Sequence, residues 1–102
     1  MKRGEVWWVE MPPPVGRRPA VLLSRNSAYR VRAAVTVAPV TRTNIAVEVL
    51  LDQGDGMPAR CVVNLDDITT LPKSLVKQRV TALSAEKIRK IDQAIRFALD
   101  LD

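Results

Sequence analysis

Along most of the chain, apolar and β-branched residues come in short runs parted by turn-forming clusters. Residues 4–10, "GEVWWVE", are apolar on both faces and predict a first strand. The next stretch, "MPPPVGR", breaks it, because three prolines lack backbone donors and hold φ near one value. A second strand follows in "PAVLLS" (19–24). "RNSAYR" (25–30) carries turn and capping residues and fits one helical turn. Strands at "AAVTVAPV" (33–40) and "VEVLL" (47–51) flank the loop "TRTN" (41–44). "DQGDGMP" (52–58), with two glycines, two aspartates and a proline, predicts a long hairpin connection. "RCVVNL" (60–65) reads as strand, and "DDITTL" (66–71) as an irregular or one-turn helical piece. "PKSLVKQRVTAL" (72–83) reads as strand, with Val76, Gln78, Val80 and Ala82 alternating against Lys77, Arg79 and Thr81.

The period then changes. Ser84 suits a helix N-cap, Glu86 falls in the first turn, and Ile88, Ile91, Ile95, Ala98 and Leu99 recur at spacings of three and four. They predict an amphipathic helix of roughly four turns. Five or six short strands and one terminal helix imply an antiparallel, strongly curved sheet or small barrel with the helix on one side. At 102 residues, with no linker or repeat, the chain reads as one domain, 1–102.

Composition alters the picture mainly through charge. The net charge is +5, and all of the excess lies in the first half: residues 1–51 hold eight basic residues against three glutamates, and residues 52–102 hold eight of each sign. Between Glu10 and Glu48 there is no acid, yet Arg17, Arg18, Arg25, Arg30, Arg32 and Arg42 all fall there. Such a block reads either as a solvated face or as a surface for a polyanion, and the planar guanidinium suits phosphate. No apolar run is long enough to cross a bilayer, and "MKRGEVWW" lacks the apolar core of an export signal. With a single cysteine, Cys61, no internal disulfide forms, and a cytoplasmic location is expected.

Absent residues narrow the chemistry further. Without histidine there is no imidazole base, and one cysteine with no histidine makes no ordinary zinc site. No Gly-rich phosphate loop occurs. Asp52, Asp55, Asp66 and Asp67 have the contexts of turn carboxylates more than of magnesium ligands. No metal or cofactor is expected. An arginine-rich, hydroxyl-bearing domain of this kind suits phosphodiester recognition, or metal-free cleavage of RNA in which the 2′-hydroxyl is the nucleophile.

Five collinear segments, "RGEVWWVE", "GRRPAVLLS", "VAPVT", "CVVNLDDITTLPK" and "VTALSAEKIRKIDQAIRFALDL", resemble the MazF/PemK family of toxin endoribonucleases over nearly the whole chain. The resemblance implies a small SH3-like antiparallel β-barrel with a C-terminal amphipathic helix and one or two short helical turns. It further implies a homodimer that cuts single-stranded messenger or transfer RNA at specific sequences without metal and leaves a 2′,3′-cyclic phosphate. A cognate MazE-like antitoxin would neutralise it through a disordered C-terminal segment. The family arginine before Pro-Ala falls on Arg18, and its threonine after Pro-x on Thr41; these are the expected catalytic residues. Arg17, Arg42, Arg25 and Gln78 are the expected RNA-binding residues.

Each of these has a rival reading. Arg17 is a phosphate contact or a surface charge, and a helical turn would splay Arg25, Arg30 and Arg32. Gln78 lies in the groove or edges the core. Trp7 and Trp8 read as core or interface before base stacking, Thr36 as structural, and Cys61 as a small buried hydrophobe. The sequence departs from the family in its short "MPPPV" loop, in Asp67 where many members have glutamine, and in Leu75 where many carry arginine, all of which bear on specificity. Two other functions compete: a related-fold toxin that binds a DNA topoisomerase, and a nucleic-acid-binding module without catalysis.

Overall fold

The computed structural model describes residues 1–42 and 48–101; Thr43 and Asn44 of the expected loop, Val47 of the expected fourth strand and the last residue lie outside them. The strands are β1 (Glu5–Glu10), β2 (Arg17–Leu22), β3 (Ala34–Thr41), β4 (Glu48–Leu51), β5 (Cys61–Asn64), β6 (Thr69–Pro72) and β7 (Val76–Ala82). Among the described residues there are also two helices, α1 (Ala28–Val31) and α2 (Ala85–Ala98), and two 3-10 turns, at Gln53–Asp55 and Lys73–Leu75. All pairings are antiparallel, in the order β4-β5-β3-β2-β1-β7, and β6 also pairs with β3. The sheet curls into a half-barrel, in agreement with the expected mostly-β architecture.

Curling lets the sheet bury both faces. On one side Val6, Val21, Ala38, Val40, Leu51, Val63 and Leu65 form a core that α2 covers. On the other, Val9, Ala20, Leu22, Val35, Val37, Leu71 and Val76 form a second core with Tyr29. The two sets alternate along β2 and β3, as a period of two requires. In α2 Ile91 is buried, and Ile88, Ala94, Ile95 and Ala98 pack against the first core. Ser84 caps the helix by accepting from Lys87 N–H at 3.2 Å. Leu99, expected on the apolar face, stands at the C-cap and is 56% exposed. No helix among the described residues is long and apolar enough to cross a membrane.

Three expectations need correction. "DDITTL" is not helical: Thr69–Pro72 pair with β3 because Leu71 enters the second core and the Thr70 hydroxyl meets that of Thr36 at 2.8 Å. The strand expected from Pro72 starts only at Val76. Before it, Lys73 N–H donates to Ala33 C=O and Lys73 Nζ to Tyr29 C=O, both at 2.7 Å, and these hold a 3-10 turn. Finally, β7 does not alternate regularly. Two register shifts against β1, between Val6 and Trp7 and between Trp8 and Val9, pair Val76 with Val9 but Gln78 with Trp8. Cross-strand partners share a face, so Gln78 leaves the Val76 row.

The β4–β5 connection is a built turn. Asp52 accepts from Gly54 N–H at 2.8 Å and Asp55 from Asp52 N–H at 2.9 Å, a reciprocal cap. Thr81 donates to Asp55 C=O at 3.0 Å, and Lys87 Nζ donates to Leu50 C=O at 2.6 Å, so β7 and α2 grip this end of the sheet. The aspartates at 52 and 55 are thus turn carboxylates.

Candidate active site

The β2–β3 ladder ends at Ala20–Pro39. Pro19 and Pro39 lie at that end, and neither has an N–H with which to extend a ladder. Register counted onward sets Arg18 opposite Thr41. Past the last pair opens a cavity of about 350 Å³ that Arg18, Thr41 and Arg42 line together with Trp8, Met57 and Cys61. Both expected catalytic residues and one expected RNA-binding arginine therefore meet in one place.

Arg18 is exposed and, among the described residues, has no hydrogen-bond or ion-pair partner. It belongs to β2 proper, opposite Val9, instead of to the preceding loop. The β1–β2 hairpin closes with Met11 N–H donating to Gly16 C=O at 3.0 Å, and Gly16 supplies the positive φ of 69° that this turn needs. A strand backbone thus fixes the base of the guanidinium, while its tip stays open to a ligand. Thr41 ends β3 opposite Val62 of β5 and is half-buried.

Arg17 points to a second cluster. Its guanidinium lies 4.8 Å from the Trp8 ring centroid, and its Nη2 donates to Gln78 Oε1 at 3.5 Å. Gln78 is exposed here and does not edge the core, a consequence of the register shifts in β7. Trp8 joins this cluster to the cavity, whereas Trp7 packs on the second core and donates its indole N–H to Glu5 at 3.0 Å. The two tryptophans, read as a pair from the sequence, have different tasks.

Arg25 is not brought to the cavity: it follows the far end of β2, where its C=O accepts from Ala28 N–H. Arg30 lines a separate concavity with Lys2 and Lys73. Cys61 is buried at 8% exposure. Burial pushes its thiol above the ordinary value, with the charges of Asp55 and Asp52 acting in the same direction and that of Arg42 opposing. It remains a neutral thiol in the cavity wall at neutral pH. Among the described residues no three His, Cys, Asp or Glu side chains converge as a metal site would require.

The sequence reading did not single out Met57. It closes one wall of the cavity and is buried in the first core, so only the folding of the β4–β5 connection over the sheet reveals it.

The chain matches the family model for the PemK-like, MazF-like toxin of type II toxin-antitoxin systems over residues 2–99. Among curated proteins it is 43% identical to the "Probable endoribonuclease MazF5" of Mycobacterium tuberculosis, covering 96% of this chain and 92% of that protein. It is 37% identical to "Probable endoribonuclease MazF2" of the same species, covering 94% and 95%. Among solved structures, the M. tuberculosis toxin MazF-mt6 superposes with a TM-score of 0.88 at 29% identity, covering 96% of this chain and 98% of that one. A mycobacterial endoribonuclease in complex with its cognate antitoxin does so with 0.86 at 25% identity, covering 100% and 95%. Together with the curled sheet and the cavity at the end of its β2–β3 ladder, the family match places this chain in the PemK/MazF family of type II toxin-antitoxin toxins.

Proposed function

We propose that this chain is a metal-independent endoribonuclease toxin that cuts single-stranded RNA at specific sequences, with Arg18 and Thr41 as its catalytic residues. The observation that carries the reading is the convergence of Arg18, Thr41 and Arg42 on one cavity. The 2′-hydroxyl oxygen of the substrate attacks the adjacent phosphorus, the bond to the 5′-oxygen breaks, and the products are a 2′,3′-cyclic phosphate and a 5′-hydroxyl. The hydroxyl proton leaves to an acceptor and the departing oxygen gains one. Negative charge builds on the non-bridging oxygens in between. The Arg18 guanidinium offsets that charge, and the Thr41 hydroxyl donates to one of those oxygens. Holding both on the ends of paired strands limits reorganisation during the reaction.

Arg42 and Arg17 bind the flanking phosphates, and Gln78 steadies Arg17 over Trp8. Among the described residues lining the cavity there is no carboxylate and no imidazole, and the base for the 2′-hydroxyl is left unassigned. Family membership supports a homodimer, and family membership together with the positive first half supports neutralisation by a cognate antitoxin whose disordered segment folds along the basic face.

The decisive experiment incubates the protein with mixed single-stranded RNA in EDTA and maps the ends. Discrete cuts bearing 2′,3′-cyclic phosphate are expected, and a 2′-deoxyribose at the cut position abolishes them. Cleavage that survives the deoxy substitution overturns the nucleophile. Salt-sensitive binding without product, or inhibition of DNA supercoiling without RNA cuts, overturns the nuclease reading.

A further inference from the structure

Arg18 lines a second cavity as well, also of about 350 Å³, which shares Pro19 with the first and otherwise has different walls. Val9 and Leu71, both buried in the second core, form apolar wall, and the 45%-exposed Val15 of the proline-rich hairpin loop contributes from outside. Besides Arg18, Asp67 and Thr69, on the approach to and start of β6, supply polar groups. The size is at the small end of ligand pockets, about 300–1,000 Å³.

The carboxylate is the informative feature. Arg17, Arg18 and Arg42 make this end of the sheet a surface for phosphate, where an acid repels the backbone of a polyanion. Asp67 is nonetheless anchored: Asn64 Nδ2 donates to its Oδ2 at 2.6 Å, and Asn64 Oδ1 is itself fixed by Asp66 N–H at 3.0 Å. An ionised carboxylate only accepts hydrogen bonds and has about four acceptor sites, so capacity remains after Asn64 is served. A ligand seated here would present donors to Asp67 and an apolar body to the Val9 and Leu71 side of the cavity. Among RNA bases, guanine offers two adjacent donors on its Watson–Crick edge, N1–H and N2–H2. Adenine and cytosine pair an amino group with a ring acceptor, and uracil sets one N–H between two carbonyls; each brings an acceptor against the carboxylate.

Resting on the nuclease reading above, we propose that this cavity is a base subsite that takes the guanine adjoining the scissile phosphate, with Asp67 accepting from N1–H and N2–H2. Arg18, common to both cavities, is the hinge between base recognition and the phosphate. The apolar walls contact the faces of the ring, which any base possesses, and the carboxylate chooses among bases.

The test digests a randomised single-stranded RNA library with wild-type protein and with D67N, then repeats the best substrate with inosine in place of the guanosine beside the cut. Wild-type cuts should be enriched in guanine at one fixed position next to the broken bond, and inosine there, lacking only the 2-amino group, should lower kcat/KM about tenfold. D67N should spread its cuts to other bases and be indifferent to the inosine exchange. Wild-type cutting with no guanine preference beside the bond, or no inosine penalty, overturns the subsite and leaves the nuclease reading intact. So does a folded D67N that keeps both preferences, or one that cuts no sequence at all, since the latter assigns Asp67 to catalysis. The inosine arm needs no variant, so it decides the matter even if D67N fails to fold. Absence of any wild-type cutting removes the nuclease reading and the subsite together.

Discussion

Arg18 in β2 and Thr41 at the end of β3 stand opposite one another by register, two residues past the last ladder pair, and both line a single cavity. Residues 23 apart in the chain become neighbours because β2 and β3 are antiparallel strands that stop pairing at two prolines. Removing the charge should be costly for rate and cheap for folding. Arg18→Ala is expected to lower kcat/KM for RNA on the order of a hundredfold or more. Stability should stay within about 0.5 kcal/mol, because the side chain is exposed and has no partner among the described residues. Arg18→Lys should recover only part of the rate, since an ammonium lacks the planar fork. Cleavage assays beside thermal melts check all three values, and a full-rate Arg18→Ala moves the site elsewhere.

At position 41, serine and valine separate hydroxyl chemistry from shape. Thr41→Ser keeps the donor and should retain most activity. Thr41→Val keeps the branched volume and should lose on the order of a hundredfold in kcat. Equal rates for the two variants would contradict a hydrogen bond from this hydroxyl to the reacting phosphate.

Arg17 sits over Trp8 and donates to Gln78, at the rim instead of in the cavity. Arg17→Ala should weaken RNA binding with little dependence on sequence. The slope of log affinity against log salt should also fall by about 0.7, the value for one phosphate contact on a single strand. Titrations at several salt concentrations read both effects. An unchanged slope would make Arg17 a plain surface charge.

Glu5 gives the fold a pH dependence. Burial acts to raise its pKa. The Trp7 indole at 3.0 Å, Lys2 N–H at 2.8 Å, the N-terminal charge and Arg79 outweigh burial and hold it below the ordinary 4.5. A carboxyl with a lower pKa folded than unfolded contributes stability that is complete above the unfolded value. The contribution is lost as pH falls from there through the folded value. Melting temperature should therefore drop on acidification below about pH 4.5, the ordinary value given above. Glu5→Gln should cost about 1–3 kcal/mol at pH 7 and flatten that drop.

Gly56 ends the 3-10 turn of the β4–β5 connection at a φ of 91°, and a Cβ there would lie 2.8 Å from Thr81 Cβ. Gly56→Ala should cost at least about 1–2 kcal/mol from the left-handed backbone alone, before the clash is counted. Denaturant melts measure the loss. Because Met57 follows directly and lines the cavity, the variant should also slow cleavage in its folded fraction.

Local patterning was enough to read β1, most of β2 and β3, β5 and α2, and to assign the carboxylates at 52 and 55 to a turn. Each follows from rules that act over a few residues: β-branched runs, proline breaks, a serine cap and apolar positions spaced by three and four. Arg18 and Thr41 were legible through the collinear segments that carry the family resemblance, and no local pattern marks either. Only the tertiary structure made Thr69–Pro72 a strand, because its place depends on β3, a partner distant in sequence. It also decided that Gln78 joins Trp8 and Arg17 while Val76 does not, since a bulge is set by the register of two strands and leaves no mark on the alternation of one. Arg25 illustrates the converse: it belongs to the same basic block as Arg18, but a strand of six residues carries it to the opposite end of the sheet. Charge along a chain adds up without regard to position, whereas a site forms only where the ladder brings side chains to the same end of neighbouring strands.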